Sequence, residues 1–352
     1  MTVANHLKNT SNTKMASKFT VKEIAHQAGL SLATVDRALH GRDHVRALTQ
    51  ERVRAAEAEL ARQHAASHLK GARVTLDIVV QAPHRFSSAV RQAFEAELPL
   101  MRPATFRARF HLAEVMAERE IIALLRAIAR RGTQGIVLKA PATPGIAACL
   151  ADLAARKIPV VTYVTDIAAP LRLAYVGMQN TKAGATAAYL LSRMAPRTPS
   201  RVLITLSSVD FEGEDARRSG FARYLAQNAP HLAITTVSEG FGVNRATGAL
   251  IQHALEDHPD IRCVYSIGGG NTAILAAFAA MGRPIDVFAA HDLDRTNTAL
   301  LESGQVSFVI HHSLRQDARR VALHFGKHYR LIDQDTRIED TEISIACPIR
   351  LT

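Results

Sequence analysis

The chain has 352 residues, of which 47% are hydrophobic and 21% charged, and its formal net charge is +11. This composition excludes a disordered or low-complexity protein, and the length predicts one large folded body with a smaller module or two bodies of similar size. Residues 1–17 are polar, and no stretch approaches the roughly 20 apolar residues that span a bilayer. We therefore expect no membrane partner and a cytoplasmic location, with residues 1–17 as a disordered leader.

Basic residues are concentrated near the N-terminus, where residues 1–75 hold 12 Lys and Arg against 6 Asp and Glu. This surplus indicates a polyanionic partner, although a basic surface that only keeps the protein soluble is the alternative. The three cysteines, Cys149, Cys263 and Cys347, lie far apart and have no second ligand at metal-binding spacing. The sequence therefore predicts no metal site and no cofactor.

Residues 18–62 have the periodicity of three short helices. Thr20 is a favourable N-cap, and apolar residues recur after it at helical spacing until Gly29. Ser31 is placed to cap a second helix, and Thr49 is placed to cap a third. The residues expected in a small common core are Val21, Ile24, Ala25, Ala28, Val35, Ala38, Leu39, Val53, Ala56 and Leu60. Two short helices joined by a glycine turn are typical of a DNA-binding helix-turn-helix, and a generic helical hairpin is the alternative.

The residue identities in this segment say more than their spacing. Thr20 to Leu60 resembles, without a gap, the DNA-binding headpiece of the lactose-repressor (LacI) family; the matching residues are Ile24, Ala25, Ala28, Gly29, Ser31, Thr34, Val35, Arg37, Val45, Thr49, Arg52 and Val53. The resemblance implies that Leu32, Ala33 and Arg37 face the bases of operator DNA. Arg37 can form a bidentate pair with guanine, whereas Leu32 and Ala33 offer only apolar contact, for example to a thymine methyl group.

Phosphate contacts are expected from short hydroxyls and helix N-termini at the duplex surface, which position a protein without reading the base sequence. The residues placed for this role are Ser31, Thr34, His44 and Thr49. Asp36 departs from the family, which usually has Ser at this position. Its carboxylate can accept a hydrogen bond from cytosine or hold Arg37 in place, and both alternatives stay open.

Residues 63–75 have the composition of a linker between the headpiece and the strand-like run that begins at Leu76. In the LacI family this stretch forms a hinge helix whose leucine enters the minor groove of bound DNA, and the resemblance implies this role for Leu69. Arg62, His64 and Ala65 replace the residues that usually precede that helix. A flexible tether, with Leu69 packed on its own domain, is the alternative.

Residues 76–352 alternate short apolar runs with amphipathic segments. The runs expected to form strands are residues 76–80, 136–140, 159–164, 201–207, 263–268, 286–291 and 306–310. Their spacing is that of βαβ units, which predicts an α/β fold with parallel sheets flanked by helices. The family resemblance continues more weakly here and implies a two-lobed, periplasmic-binding-protein-like domain that binds an effector in a cleft and forms the dimer.

Ligands of open α/β sheets bind beyond the carboxyl ends of the strands, and the residues at these positions suit the hydroxyl groups and ring face of a sugar or polyol. The resemblance implies that Arg217 grips the effector and that Asp292 accepts its hydroxyl groups. Phe86 is expected to stack on the effector, and Asn180 and Asn271 are further candidates. The alternatives are helix caps for Asp292 and the two asparagines, a core position for Phe86, and an acidic neighbour for Arg217.

Together these features predict a transcriptional regulator, by family default a repressor, that binds a pseudo-palindromic operator as a homodimer and responds to an effector. A solute-binding protein and a sugar-modifying enzyme are the alternatives, because both can share the two-lobed domain. The run from Gly268 to Gly270 lacks the other residues of a phosphate-binding loop, and no catalytic constellation is found. We therefore expect no enzymatic activity.

Overall fold

The computed structural model describes residues 19–41, 45–69, 73–102, 104–167 and 169–350, and for residues 61–69, 169 and 350 it describes the backbone only. The chain divides into two compact units, Met1–Gly71 and Ala72–Thr352. The described part of the first unit is helical. The second unit alternates strands and helices, which is the α/β organisation that the sequence predicts.

The N-terminal unit contains α1 (Val21–Ala28), α2 (Leu32–Leu39) and α3 (Ala47–Leu69). A capping box begins α1: the Thr20 hydroxyl accepts from Glu23 N at 3.3 Å, and Thr20 N donates to the Glu23 carboxylate at 2.8 Å. Gly29 ends α1 with a φ of 61°, a left-handed conformation that glycine adopts without steric cost. The buried core of the three helices consists of Ile24, Ala25, Ala28, Val35, Val53 and Ala56.

Helix α3 differs from the prediction at both ends. It begins at Ala47, so Thr49 lies inside its first turn rather than at its N-cap. It continues through Leu69, and the next strand begins at Arg73, so within the predicted hinge or linker residues 63–69 have a helical backbone and residues 73–75 belong to β1. Residues 61–69 contain no Gly or Pro, and a helix that is already nucleated extends readily where no such residue interrupts it.

The large unit contains two sheets. The first is built from β1 (Arg73–Gln81), β2 (Thr105–Ala113), β3 (Ile136–Lys139), β4 (Val160–Tyr163) and β5 (Ala174–Val176). Its order is β2-β1-β3-β4-β5, and every pairing is parallel. We call the body around this sheet the N-lobe.

The second sheet is built from β6 (Ser200–Thr205), β7 (Leu232–Val237), β8 (Ile261–Ser266), β9 (Val287–His291), β10 (Phe308–His311) and β11 (Ser344–Ala346). Its order is β11-β10-β9-β8-β6-β7, and only the β10–β11 pairing is antiparallel. We call the body around this sheet the C-lobe.

Helices pack against both sheets. The N-lobe carries α4 (His84–Glu97), α5 (Glu118–Arg131) and α6 (Pro144–Ala155), and the C-lobe carries α7 (Asn180–Met194), α8 (Glu212–Asn228), α9 (Asn244–Asp257), α10 (Asn271–Ala280) and α11 (Arg295–Glu302). The last helix, α12 (Leu314–His328), follows a C-lobe strand but packs on α4 of the N-lobe. The chain thus crosses between the lobes three times: at residues 177–179, at residues 312–313, and between α12 and β11.

The strands that the sequence prediction missed lie at sheet edges or are very short. β2 and β7 are edge strands, and β2 reads TFRARFHLA, in which charged residues alternate with apolar ones. β5 has only three residues. An edge strand has one neighbour and needs less apolar surface than a central strand, so it lacks the continuous apolar run on which the prediction relied.

Candidate functional site

The exposed surface of α2 presents the residues predicted to contact bases. Leu32 is 54% exposed, and Ala33 and Arg37 are also exposed, whereas Val35 on the opposite face is fully buried. Ser31 caps α2: its hydroxyl accepts from Thr34 N at 3.2 Å and lies 2.8 Å from the Thr34 hydroxyl. Burial of one face thus leaves the first turn of α2 free to meet a partner, as a helix that enters the major groove requires.

Contacts on α2 orient two of its charged side chains. Arg37 Nε donates to the carbonyl of Ala33 at 3.2 Å, which leaves its terminal nitrogens for other acceptors. Asp36 lies 3.1 Å from His40 Nδ1, so its carboxylate has a neighbour within the helix. Thr49 is half-buried on α3. His44 lies outside the described residues, as does the side chain of Leu69, so their DNA contacts remain predictions.

A cavity in the large unit lies at the carboxyl ends of strands from both lobes. Its empty space is about 430 Å³, including its opening to solvent. Three residues predicted to contact an effector line it, namely Phe86 on α4, Arg217 on α8 and Asp292 after β9. Its other charged or aromatic lining residues are Arg85, Lys139, Phe211 and Glu214. The cleft implied by the resemblance therefore exists, and its lining is both aromatic and charged.

Lys139 is a buried cation in the lining of this cavity. It ends β3 and is only 7% exposed, and its ammonium donates to the carbonyl of Gln81 at 3.0 Å. The ammonium also lies 4.1 Å from the ring centre of Phe211 and 5.9 Å from that of Phe86, within the range of cation–π attraction. Burial lowers the pKa of Lys139 to about 8, although the nearby carboxylate of Glu214 acts in the opposite direction.

Arg217 is held in place from behind. The residue is 3% exposed, and its Nε donates to Asn180 Oδ1 at 2.8 Å. Asn180 in turn donates to the hydroxyl of Tyr175 at 3.0 Å. Asn180 does not line the cavity. It therefore orients Arg217, whereas the sequence predicts a direct contact with the effector.

Two carboxylates complete the polar lining. Glu214 accepts from Ser207 N at 2.7 Å and from the Ser207 hydroxyl at 2.6 Å, which fixes its orientation. Asp292 has a φ of 67°, a left-handed conformation that is uncommon outside glycine and concentrates at functional sites. No ion pair joins Lys139, Arg217, Glu214 or Asp292 to one another in the described part of the chain, so none of these four charges is neutralised by direct pairing with another of them.

Contacts across the cleft hold the two lobes together. The Arg85 guanidinium on α4 pairs with the Asp294 carboxylate at the start of α11. Gly213 N of the C-lobe donates to the Thr165 hydroxyl of the N-lobe at 2.9 Å. The arrangement is therefore a closed one, in which the cavity is enclosed by both lobes.

Asn271 does not line this cavity. It begins α10 and is buried, where Ser266 Oγ donates to its Oδ1 at 2.5 Å and its Nδ2 donates to Asn297 Oδ1 at 2.6 Å. It borders instead a separate, more open space that includes Arg245 and Thr272. The glycines at 268–270 allow the chain to turn over this network, and Gly269 and Gly270 have φ of 93° and 77°.

The sequence prediction places Lys139 among the residues that follow strand ends but does not select it as a site residue, and it misses Phe211 and Glu214 as cavity residues. Lys139 had a usable signal, because it is the one charged residue in the apolar run IVLK, at the carboxyl end of a strand. Phe211 and Glu214 lie several residues beyond β6, where only the path of the loop brings them to the cavity. Among the described residues, no group of His, Cys, Asp and Glu could hold a metal ion, and none of the helices is long and apolar enough to cross a membrane.

Comparison with known families agrees with this division. Residues 78–322 match the family model described as the periplasmic binding protein domain, which is the class that the two lobes and the cleft define. Residues 20–61 match the family described as bacterial regulatory proteins, lacI family. The chain belongs to the periplasmic binding protein domain family and carries the DNA-binding domain of the lacI family, so it is a transcriptional regulator.

Solved structures share the fold of the large unit. The glucose-galactose binding protein GanP from Geobacillus stearothermophilus is 17% identical, with a TM-score of 0.69 over 80% of this chain and 99% of that one. A solute-binding protein from Burkholderia graminis in complex with D-arabinose is 15% identical, with a TM-score of 0.70 over 79% and 96%. A proposed LacI transcriptional regulator from Bacteroides fragilis is 13% identical, with a TM-score of 0.68 over 80% and 99%. No curated protein matches the chain significantly.

Proposed function

We propose that this regulator binds a sugar or polyol in the interlobe cavity and that the bound effector changes its affinity for operator DNA. The observation that carries the proposal is the cavity lining: two aromatic rings, two buried cations and two carboxylates converge where parallel strands end. Hydroxyl groups both donate and accept, so a polyol can satisfy cations and carboxylates together, while an apolar ring face packs on Phe86 or Phe211.

Each side chain has a separate role in this proposal. Arg217, oriented by Asn180, donates to the effector, and Asp292 and Glu214 accept from its hydroxyl groups. Lys139 donates to an effector oxygen, which replaces part of its present contacts with the Gln81 carbonyl and the two aromatic rings. The sugars named for similar solute-binding structures, glucose, galactose and arabinose, are therefore suitable first probes.

The DNA-binding role is assigned to the exposed turn of α2. Arg37 reads a guanine, Leu32 and Ala33 make apolar contacts to bases, and Ser31, Thr34, His44 and Thr49 contact phosphates. One eight-residue helix covers few base pairs, so specific binding needs two headpieces, and we propose a homodimer on a pseudo-palindromic operator. We further propose that the bound regulator represses transcription and that Leu69 contacts the minor groove. The proposed location of the protein is the cytoplasm.

The lacI regulators and the periplasmic-binding domain are generally not enzymes, and we propose no catalysis for this chain. A solute-binding protein would have no use for the headpiece at residues 20–61. The exposed first turn of α2, with the opposite face packed in a core, favours the regulator over both alternatives.

The test begins with the purified full chain and a library of random duplexes. We expect selection of one palindromic sequence, followed by a change in its affinity when a probe sugar is added. Coupling free energies of about 1–3 kcal/mol predict a shift of roughly 5- to 150-fold. Enrichment of no sequence, with binding that depends only on salt, would contradict the DNA-binding assignment. Sequence-specific binding that no sugar changes would contradict the effector assignment alone.

A further inference from the structure

A buried carboxylate lies where the chain segments that cross between the lobes come together. Asp317 is in the first turn of α12, and none of its surface is exposed. Since α12 packs on α4, Asp317 is anchored to the N-lobe. It does not line the effector cavity. Its role must therefore come from what its carboxylate holds.

The carboxylate accepts hydrogen bonds from two crossing segments. His312 Nδ1, in the second crossing, contacts Asp317 Oδ2, and the Thr341 hydroxyl, in the third crossing, donates to Oδ1 at 2.7 Å. Thr341 also forms an isolated parallel β-bridge with Met178 in the first crossing. One side chain of the N-lobe is thus linked to all three crossings, directly to two of them and through Thr341 to the other.

Arg320 strengthens the connection to the third crossing. It lies one turn after Asp317 on α12 and donates to its Oδ1 at 2.9 Å. The same guanidinium donates to the carbonyl oxygens of Glu339 and Asp340 at 2.8 and 2.9 Å. The third crossing is therefore bound to α12 through its backbone as well as through Thr341.

The charge state of Asp317 suits this role. Burial by itself raises the pKa of the carboxyl, but hydrogen bonding and charge from His312, with help from Thr341 and Arg320, hold it below the usual value. An ionised carboxylate only accepts hydrogen bonds, and charge-assisted bonds of this kind are shorter and stronger than neutral ones. The hydrogen bonds of Asp317 with His312, Thr341 and Arg320 therefore form a stiff connection within the hinge, which consists of only three crossing segments.

We propose that Asp317 is the positioning residue of the hinge, because it fastens the three crossing segments to the N-lobe. The C-lobe then moves relative to the N-lobe as one body, and the movement begins beyond His312 and Thr341. This inference rests on the proposed function only for its biological role, which is to transmit effector binding to the headpieces. The mechanical part concerns the protein without any ligand. Asp317→Asn would keep one acceptor oxygen but remove the charge. Its amide NH2 group, which cannot accept a hydrogen bond, would face the donors of His312, Thr341 or Arg320.

The matched control is Glu97→Gln. Glu97 is a buried carboxylate that accepts from Arg315 Nε at 2.7 Å and from Arg319 Nη2 at 2.8 Å. It joins α4 to α12 within the N-lobe, and among the described residues its side-chain hydrogen bonds come from these two arginines and not from a crossing segment. Asp317→Asn and Glu97→Gln therefore both remove a buried negative charge at or beside α12. Only Asp317→Asn weakens the hydrogen bonds that hold the crossing segments.

The first measurement is the distribution of distances between spin labels in the two lobes of the ligand-free full chain. Labels at Arg119→Cys on α5 and Gln252→Cys on α9, both exposed positions, are placed in a Cys347→Ser background, because Cys149 and Cys263 are buried. We expect Asp317→Asn to broaden the distribution about twofold, since lobe motions of this kind are limited by few residues. Glu97→Gln should leave the width unchanged.

The second measurement is the ratio of operator affinities without and with a probe sugar that acts on the wild type. We expect Asp317→Asn to lower this ratio at least about fivefold. Thr341→Val removes one donor and keeps the carboxylate, so it should have a smaller effect in the same direction. It replaces Asp317→Asn in both measurements if that variant does not fold.

Equal label distributions in the wild type, Asp317→Asn and Thr341→Val would overturn the hinge assignment. Broadening by Glu97→Gln as large as that by Asp317→Asn would also overturn it, because a general loss of stability would then explain both. If no probe sugar changes operator binding in the wild type, the proposed function fails, and the label distances in the ligand-free protein still decide the hinge.

Discussion

Replacing Lys139 with methionine should change how the stability of the large unit depends on pH. Burial lowers the pKa of Lys139 from 10.5 to about 8, so folding is opposed by the charged form. A difference of about 2.5 in pKa corresponds to roughly 3 kcal/mol, because each pKa unit is worth about 1.4 kcal/mol. Methionine has a similar shape and no charge. At pH 7 the variant therefore avoids this penalty and loses the hydrogen bond to the Gln81 carbonyl, worth about 1 kcal/mol.

The sign follows from proton binding in the two states. Between the folded pKa of about 8 and the unfolded value of 10.5, the unfolded chain holds the Lys139 proton and the folded protein does not. The wild type therefore gains stability as pH rises through this window, relative to Lys139→Met, by up to about 1.4 kcal/mol per pH unit. The advantage of the variant should shrink from pH 8 toward pH 10.

Urea unfolding followed by circular dichroism measures this effect, since the chain has no tryptophan. The exposed Lys182 on α7 is the control, because Lys182→Met removes the same charge from the surface. A stability difference between wild type and Lys139→Met that stays constant from pH 7 to pH 10 would refute the reasoning that the ammonium is buried in the cavity.

Three further changes, the last with Gly248→Ala as its control, test other parts of the protein. Arg37→Ala should abolish enrichment of a single operator in selection from random DNA, since a bidentate guanine contact is worth about 1–3 kcal/mol, and retained selectivity would remove Arg37 from the base-reading role. Arg217→Met should eliminate sugar binding in calorimetry while operator binding persists; unchanged heats of binding would place the effector elsewhere. Gly184→Ala should destabilise the C-lobe by about 1–3 kcal/mol and weaken sugar binding, because the added Cβ would lie 1.9 Å from the Arg217 carbonyl oxygen. Gly248→Ala, whose Cβ meets nothing nearer than 3.8 Å, should be neutral or slightly stabilising in thermal unfolding, and equal losses in both variants would contradict the packing argument.

The sequence determined the parts of this protein whose signals are local. Thr20, Gly29 and Ser31 cap and end the first two helices through contacts three or four residues away, so their roles could be read from spacing. The central strands are buried on both faces and appear as continuous apolar runs, which predicted the α/β fold. Arg217 and Asp292 were predicted as effector contacts because the resemblance and the strand-end rule both indicate them, and both line the cavity.

The tertiary structure decided how residues far apart in the chain combine. Phe86 and Lys139 of the N-lobe meet Phe211 of the C-lobe only because the two lobes close over one cavity, and nothing in their local sequence indicates that they are neighbours. Asn180 supports Arg217 and Asn271 joins a separate network, although both begin a helix after a strand and look equivalent in sequence. Local hydrogen bonds and apolar periodicity depend on residues only a few positions apart, whereas burial, charge pairing and lobe contacts depend on the path of the whole chain.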